Sequence, residues 1–233
     1  MTRALTLAEI LAVLDDPRSI PDLQRYFLGD RGAAFSGGQF ERLGGSGYRP
    51  EVANTITADD LIAVQMLSVQ VSRRRALDLL QGQLGRELAA ELAKIPVDVE
   101  LGADGASPLI AEGGHAHGAW RVLREATDIG WVIAGKLLAR KRPKLVPVYD
   151  EVVSCAYGTA AGFWKWLHGR LREDDGVLPQ RLRSLHAMAD LPAVVSPLRV
   201  LDVVFWMRHR DGHGGSGCPG LRLPKRRTIP HGE

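Results

Sequence analysis

Cysteine is almost missing from this chain: 233 residues contain two, Cys155 and Cys218. That is too few for a disulfide framework or a four-cysteine cluster, and it points to a reducing, cytoplasmic setting. No run comes near the roughly 18 consecutive apolar residues that a membrane span requires. One early cation, Arg3, precedes an apolar stretch, but no small-residue cleavage pattern follows, so no secretory leader is expected. Strand signals are equally scarce. Val97–Leu101 is the only segment that reads as one, and there is no internal repeat.

The charge is uneven. From Arg208 onward six cations (Arg208, Arg210, Arg222, Lys225, Arg226, Arg227) face two acids, Asp211 and Glu233, a local +4. The whole chain is +3, so residues 1–207 sum to −1. Between Ala119 and Asp150, seven Lys/Arg face three acids, again +4. A near-neutral body with one basic region argues against a broad nucleic-acid coat and leaves room for one phosphate-contacting patch.

What the chain does contain is helix punctuation. Thr6 with Glu9 forms a capping box ahead of Leu7, Ile10, Leu11 and Leu14 on one face. Ser19 and Pro21 open a second helix that runs to Gly29. Residues 29–56 hold seven glycines and read as a long irregular loop, with Phe35, Phe40 and Tyr48 pinning it to the core. Thr57 and Asp60 repeat the capping pattern before Leu61, Val64, Ser68 and Val71, and Arg73–Arg75 are expected to close that helix. Shorter helices follow at 77–81 and 86–94. His115 and His117 after Gly113-Gly114 read as a helix start and not as a metal pair, since no third ligand stands nearby. Phe163, Trp164 and Trp166 read as core, and Ser196-Pro197 caps the last helix. The expected fold is all-α: one helical unit over residues 1–210, built as one or two packed lobes. Residues 211–233, rich in Gly, Pro and cations, are expected to form a flexible tail.

The chain is organised around Ile129–Val153. A glycine, Gly130, opens an apolar small-residue helix that runs into Arg140, Lys141, Arg142 and Lys144. Prolines 143 and 147 fix φ and disfavour helix just before each ring, so the chain must cross in extended form. The crossing delivers Asp150 to the first turn of another helix, where a carboxylate is favoured.

This stretch resembles the helix-hairpin-helix DNA glycosylases, the superfamily of the endonuclease III-like repair enzymes. Ile129-Gly130 matches the hydrophobic-glycine half of their hairpin, near residues 126–142. Ala134 matches the small residue at the helix contact, and Pro147-Val148-Tyr149-Asp150 matches the crossing and its aspartate. Thr127 and Asp128 stand where that family has proline and glycine, Val132 stands at the lysine of the bifunctional members, and the iron–sulfur cysteines are absent. The segment KLLARKRPKLVPVYD, with the ITADDL helix start, also resembles an uncharacterised bacterial family with no known activity.

The resemblance implies a monofunctional glycosylase that needs no metal or cofactor. Asp150 would stabilise the cationic sugar or activate water. Backbone N–H groups near Ile129 and Gly130, with Lys136, Arg140, Lys141, Arg142 and Lys144, would hold DNA phosphates. The alternative is a non-catalytic helix-hairpin-helix protein that binds DNA or a protein partner, with Asp150 acting only as a helix cap.

Overall fold

A computed structural model describes residues 3–29, 35–158, 162–215, 217–221 and 223. Among them there is no strand, and the fold is all-α. The helices are α1 (Leu7–Leu14), α2 (Ser19–Phe27), α3 (Ala58–Gln65), α4 (Arg73–Gln81), α5 (Gln83–Leu92) and α6 (Ala106–Ile110). Then come α7 (His115–Glu125), α8 (Trp131–Lys141), α9 (Glu151–Tyr157), α10 (Phe163–Arg172), α11 (Val177–Met188) and α12 (Pro197–His209). None is long and apolar enough to cross a membrane. Val97–Leu101 is irregular, tied to the crossing by one backbone bond from Leu101 N–H to the Lys144 carbonyl at 2.9 Å.

The capping residues read from the sequence perform as expected. Thr6 with Glu9 and Thr57 with Asp60 form reciprocal boxes, and Ser196 accepts from the Arg199 N–H ahead of Pro197. One boundary needs correcting. The arginine triplet does not close α3, which ends at Gln65; it opens α4. Ser68 takes a left-handed φ of 61° that breaks the helix, and Ser72 then caps the next one.

The helices pack in two groups. In one, α5 lies on α4 and α7, and α7 on α6 and α8, with α3 against α8. In the other, α12 is packed by α1, α2, α9 and α11. Each group has a helix that is buried on nearly all sides: α8 from Ala134 to Lys141, and α12 from Leu198 to Phe205. A helix buried all round is normally apolar. Here α8 is not, since Lys136, Arg140 and Lys141 are at most 3 % exposed and Arg142, just beyond it, is 1 % exposed.

These cations have internal partners. Asp60 at the start of α3 receives Arg140 Nε at 2.9 Å on one oxygen and Lys141 Nζ on the other. The remaining Arg140 nitrogens donate to the carbonyls of Phe40 and Leu43, and Lys141 donates to the Val52 carbonyl at 3.0 Å. Arg142 donates to the carbonyls of Ile95 and Ala53 at 2.9 and 2.8 Å. The glycine-rich segment 35–56 is therefore no free surface loop. It is wound in three short 3₁₀ turns over α8, and Phe40, 1 % exposed, is buried beneath it. Gly47 is where the two backbones touch: a Cβ there would sit 2.1 Å from the Lys141 carbonyl oxygen.

Removing one partner from a buried ion pair strands a charge and costs about 3–5 kcal/mol. Asp60→Ala is therefore expected to lower unfolding free energy by about that amount in urea titration, through loss of the carboxylate shared by Arg140 and Lys141. A change below about 1 kcal/mol, the ordinary value of a surface pair, would contradict the buried placement.

Candidate active site

Asp150 is the N-cap of α9. The crossing buries Val148 on the way in, and Tyr149 is held by a stack on Phe163 at 3.8 Å and by its hydroxyl's bond to Ser154 at 2.8 Å. One carboxylate oxygen of Asp150 accepts the Val153 N–H at 3.1 Å. The other faces Lys136 Nζ at 3.4 Å. Lys136 also donates to the Leu67 carbonyl at 2.7 Å, so its ammonium is fixed from two sides. Burial pushes the Lys136 pKa below the usual lysine range, and the Asp150 charge opposes that shift.

Both residues line a cavity of about 530 Å³ between the two helix groups. Its walls are Val132 and Lys136 from α8, Asp150 to Val153 at the start of α9, and Arg199, Asp202, Val203 and Trp206 from α12. Tyr26, Phe35 and residues 66–69 complete it. That volume lies within the roughly 300–1,000 Å³ of ordinary ligand sites. An aromatic wall closes one side: Tyr26 stacks on Phe35 at 5.3 Å, and Trp206 meets both edge-on at 5.9 and 5.6 Å. Arg210 lies over the Phe35 and Trp206 rings at 4.8 and 4.7 Å, and Arg25 over Phe35 at 5.7 Å.

The α12 wall is a buried charge cluster. Arg199 donates to Asp202 at 2.8 Å, to Glu41 at 2.7 Å and to the Tyr26 hydroxyl at 2.8 Å. One cation faces two carboxyl groups. Burial pushes the Asp202 pKa up to about 7 against the pull of Arg199, and Glu41 is raised for the same reason.

The residues singled out from the sequence separate into three places. Asp150 and Lys136 meet in the cavity, joined by Val132. Ile129 is buried and Gly130 exposed at the turn between α7 and α8, where Asp128 takes a left-handed φ of 72°. The expected basic face is corrected: Arg140, Lys141 and Arg142 are buried and bonded to Asp60, Asn54 and main-chain carbonyls, so they present nothing to a phosphate. Lys144 is half-buried beside Glu100–Gly102, away from the cavity. Sequence reading missed Arg199, Asp202 and the aromatic wall, because those residues are spread over α2, the 35–56 segment and α12. The only sequence signal was two charged residues, Arg199 and Asp202, inside the otherwise apolar stretch 198–207 of α12.

The Asp202 shift fixes a sign. Its folded pKa lies above the roughly 3.9 of an unfolded aspartate, so the folded state holds a proton that the unfolded state releases. That contribution is present at low pH and is lost as pH rises through about 7. Melting temperature is expected to fall from about pH 4.5 to about pH 7.5, and Asp202→Asn should flatten that slope by removing the titrating group. An unchanged slope in the variant would contradict the assignment.

Residues 19–209 match the model of a family of unknown function, DUF6308. No curated protein and no solved structure matches the chain. With most of its length matched, this chain belongs to the DUF6308 family.

Proposed function

We propose that the cavity is the site of a hydrolase acting on a base–sugar bond in DNA, with Asp150 as its carboxylate. The observation that carries this reading is the division of labour within Asp150. One oxygen is fixed by the helix it caps, the other pairs with Lys136, and both residues line a cavity large enough for a nucleobase beside an aromatic wall. The resemblance to helix-hairpin-helix glycosylases supports the assignment. The positions it matches to the bifunctional lysine and to the aspartate, Val132 and Asp150, share that cavity. Asp128 also takes the left-handed backbone expected at the family's hairpin glycine.

In this reading the flipped base enters between Tyr26, Phe35 and Trp206, which offer π-faces for stacking. The Asp150 carboxylate stabilises positive charge on the sugar, or takes a proton from the attacking water. Lys136 holds that carboxylate in place. Valine at 132 offers no amine for an imine with the sugar, so the reaction is hydrolysis without strand cleavage through that position. Phosphate contacts pass from the buried α8 cations to the turn at Ile129-Gly130 and to Arg25 and Arg210 beside the aromatic wall.

A second reading rests on the Val153 N–H bond: Asp150 is a cap, and the protein binds DNA or a protein partner without chemistry. The two separate in one experiment. Asn caps about as well as Asp, so Asp150→Asn should stay folded and bind DNA at least as well as the wild type. On the hydrolase reading it loses base release from a panel of damaged, mismatched and modified duplexes by about 10²–10⁴-fold. On the cap reading the wild type releases no base, Asp150→Asn is silent, and Asp150→Ala costs about 1 kcal/mol of stability.

A further inference from the structure

The two cysteines, too few for a disulfide framework or a four-cysteine cluster, come together in the fold with two histidines. Cys155 lies in α9, His209 ends α12, His213 follows the 3₁₀ turn Arg210–Gly212, and Cys218 lies five residues further on. One ligand atom from each residue falls within 4.8 Å of the other three. Cys218 Sγ is 3.5 Å from His209 Nε2. Around a tetrahedral zinc, with Zn–S of about 2.3 Å and Zn–N of about 2.05 Å, a sulfur and a nitrogen stand about 3.6 Å apart.

We propose that Cys155, His209, His213 and Cys218 form a structural zinc site that clamps the segment after α12 onto the body of the protein.

Three further observations fit it. His213 Nδ1 is buried without any hydrogen-bond partner, a costly state for an imidazole nitrogen and one that coordination relieves. His209, at the end of a packed helix, is 4 % exposed, so one ligand is already held rigidly. The spacing is that of a zinc pair, His-x₃-His, followed by a chain reversal in which Gly217 takes a φ of 102° just before Cys218. Beyond it, Leu221 and Leu223 pack against the hydrophobic core. The described part of the segment expected to be a flexible tail therefore returns to the body, and residues 224–233 lie outside the described residues.

The ligand set decides the metal. Two thiolates and two imidazoles in a tetrahedral arrangement suit Zn²⁺, and a hard cation such as Mg²⁺ or Ca²⁺ would need oxygen ligands. A Rieske-type cluster also uses two cysteines and two histidines but places them on different irons. Four ligand atoms all within 4.8 Å of one another surround one ion. With every position filled by protein there is no open site for substrate or water, so the role is structural. On binding, each thiol that is protonated gives its proton to solvent. The clamp joins α9, capped by Asp150, to the end of α12, which carries Arg199, Asp202 and Trp206, and so ties together two walls of the cavity.

The test uses the full chain without an affinity tag, purified under reducing conditions from zinc-supplemented medium. Elemental analysis should find one zinc per chain. Titrating the chelator-stripped protein with cobalt(II) chloride should give the visible bands of tetrahedral cobalt and the near-ultraviolet thiolate-to-cobalt charge transfer. His213→Ala and Cys218→Ser should each lose the equivalent of zinc and weaken or abolish the cobalt spectrum. Both positions follow the last long helix, so circular dichroism should show the helices intact. His117→Ala, at the His-x-His pair in α7, should keep a full equivalent. Melting temperature should fall when zinc is removed from the wild type and stay put for the same treatment of Cys218→Ser. A wild-type chain that carries no zinc and shows no cobalt–thiolate band overturns the proposal. So does a Cys218→Ser protein that retains its zinc, or a Cys155–Cys218 disulfide that persists through the reducing purification.

Discussion

The fold turns on an ionic contact in an unusual place. Asp60 is buried between Arg140 and Lys141, with the Arg142 guanidinium buried alongside on main-chain carbonyls. Taking an ion out of water costs several kcal/mol, and the cost is met only when the partners and remaining donors are all satisfied. Asp60 supplies one charge against two cations, so the carbonyls of Phe40, Leu43 and Val52 must supply the rest. Those carbonyls belong to the glycine-rich segment. The segment cannot lift away without stranding donors, and α8 cannot be buried without the segment over it. That mutual dependence sets α8 in the middle of the molecule.

From that position the other face of α8 is free to line the cavity. Val132 and Lys136 lie one turn apart on it, opposite the start of α9 and the charged stretch of α12. The cavity therefore lies where two buried helices meet, each carrying charged residues that a plain core would not use. Arg199 with its two carboxyl partners is the α12 counterpart of Asp60 with its two cations. Buried titratable groups grouped around a cavity mark a site more often than a structural accident.

Local chemistry was readable from the sequence. Caps at Thr6, Thr57 and Ser196, and the delivery of Asp150 to the start of a helix, depend on a few neighbouring residues, and the structure places them as expected. Two local expectations fail. Residues 143–146 form a turn closed by bonds from the Leu145 and Val146 N–H groups to the Arg142 carbonyl, not an extended segment, and the stripe expected from Leu61 to Val71 stops where α3 ends at Gln65. The arginine triplet misled because its place depends on a left-handed Ser68, which nothing in an apolar-periodic window announces. The basic cluster misled for a deeper reason. Cations clustered at a helix end read as a phosphate-contacting patch, and only tertiary structure brings Arg140, Lys141 and Arg142 main-chain acceptors from residues 40–53. Such acceptors have no side-chain signature. The same holds for Cys155, whose partners arrive from the far end of α12 and beyond. The aromatic wall was half legible: Phe35 was expected to anchor its loop, yet that its ring stacks on Tyr26 beside a cavity could not be read from spacing.

The account's central claim is that the Asp150 carboxylate faces developing positive charge in this cavity. The most direct measurement compares two duplexes that differ only at one abasic position, a cationic pyrrolidine in one and a neutral tetrahydrofuran in the other. The wild-type protein should bind the cationic duplex at least about tenfold more tightly, the low end of what transition-state mimics gain. Asp150→Asn should bind both alike. Equal affinity of the wild-type protein for the two duplexes would contradict the claim.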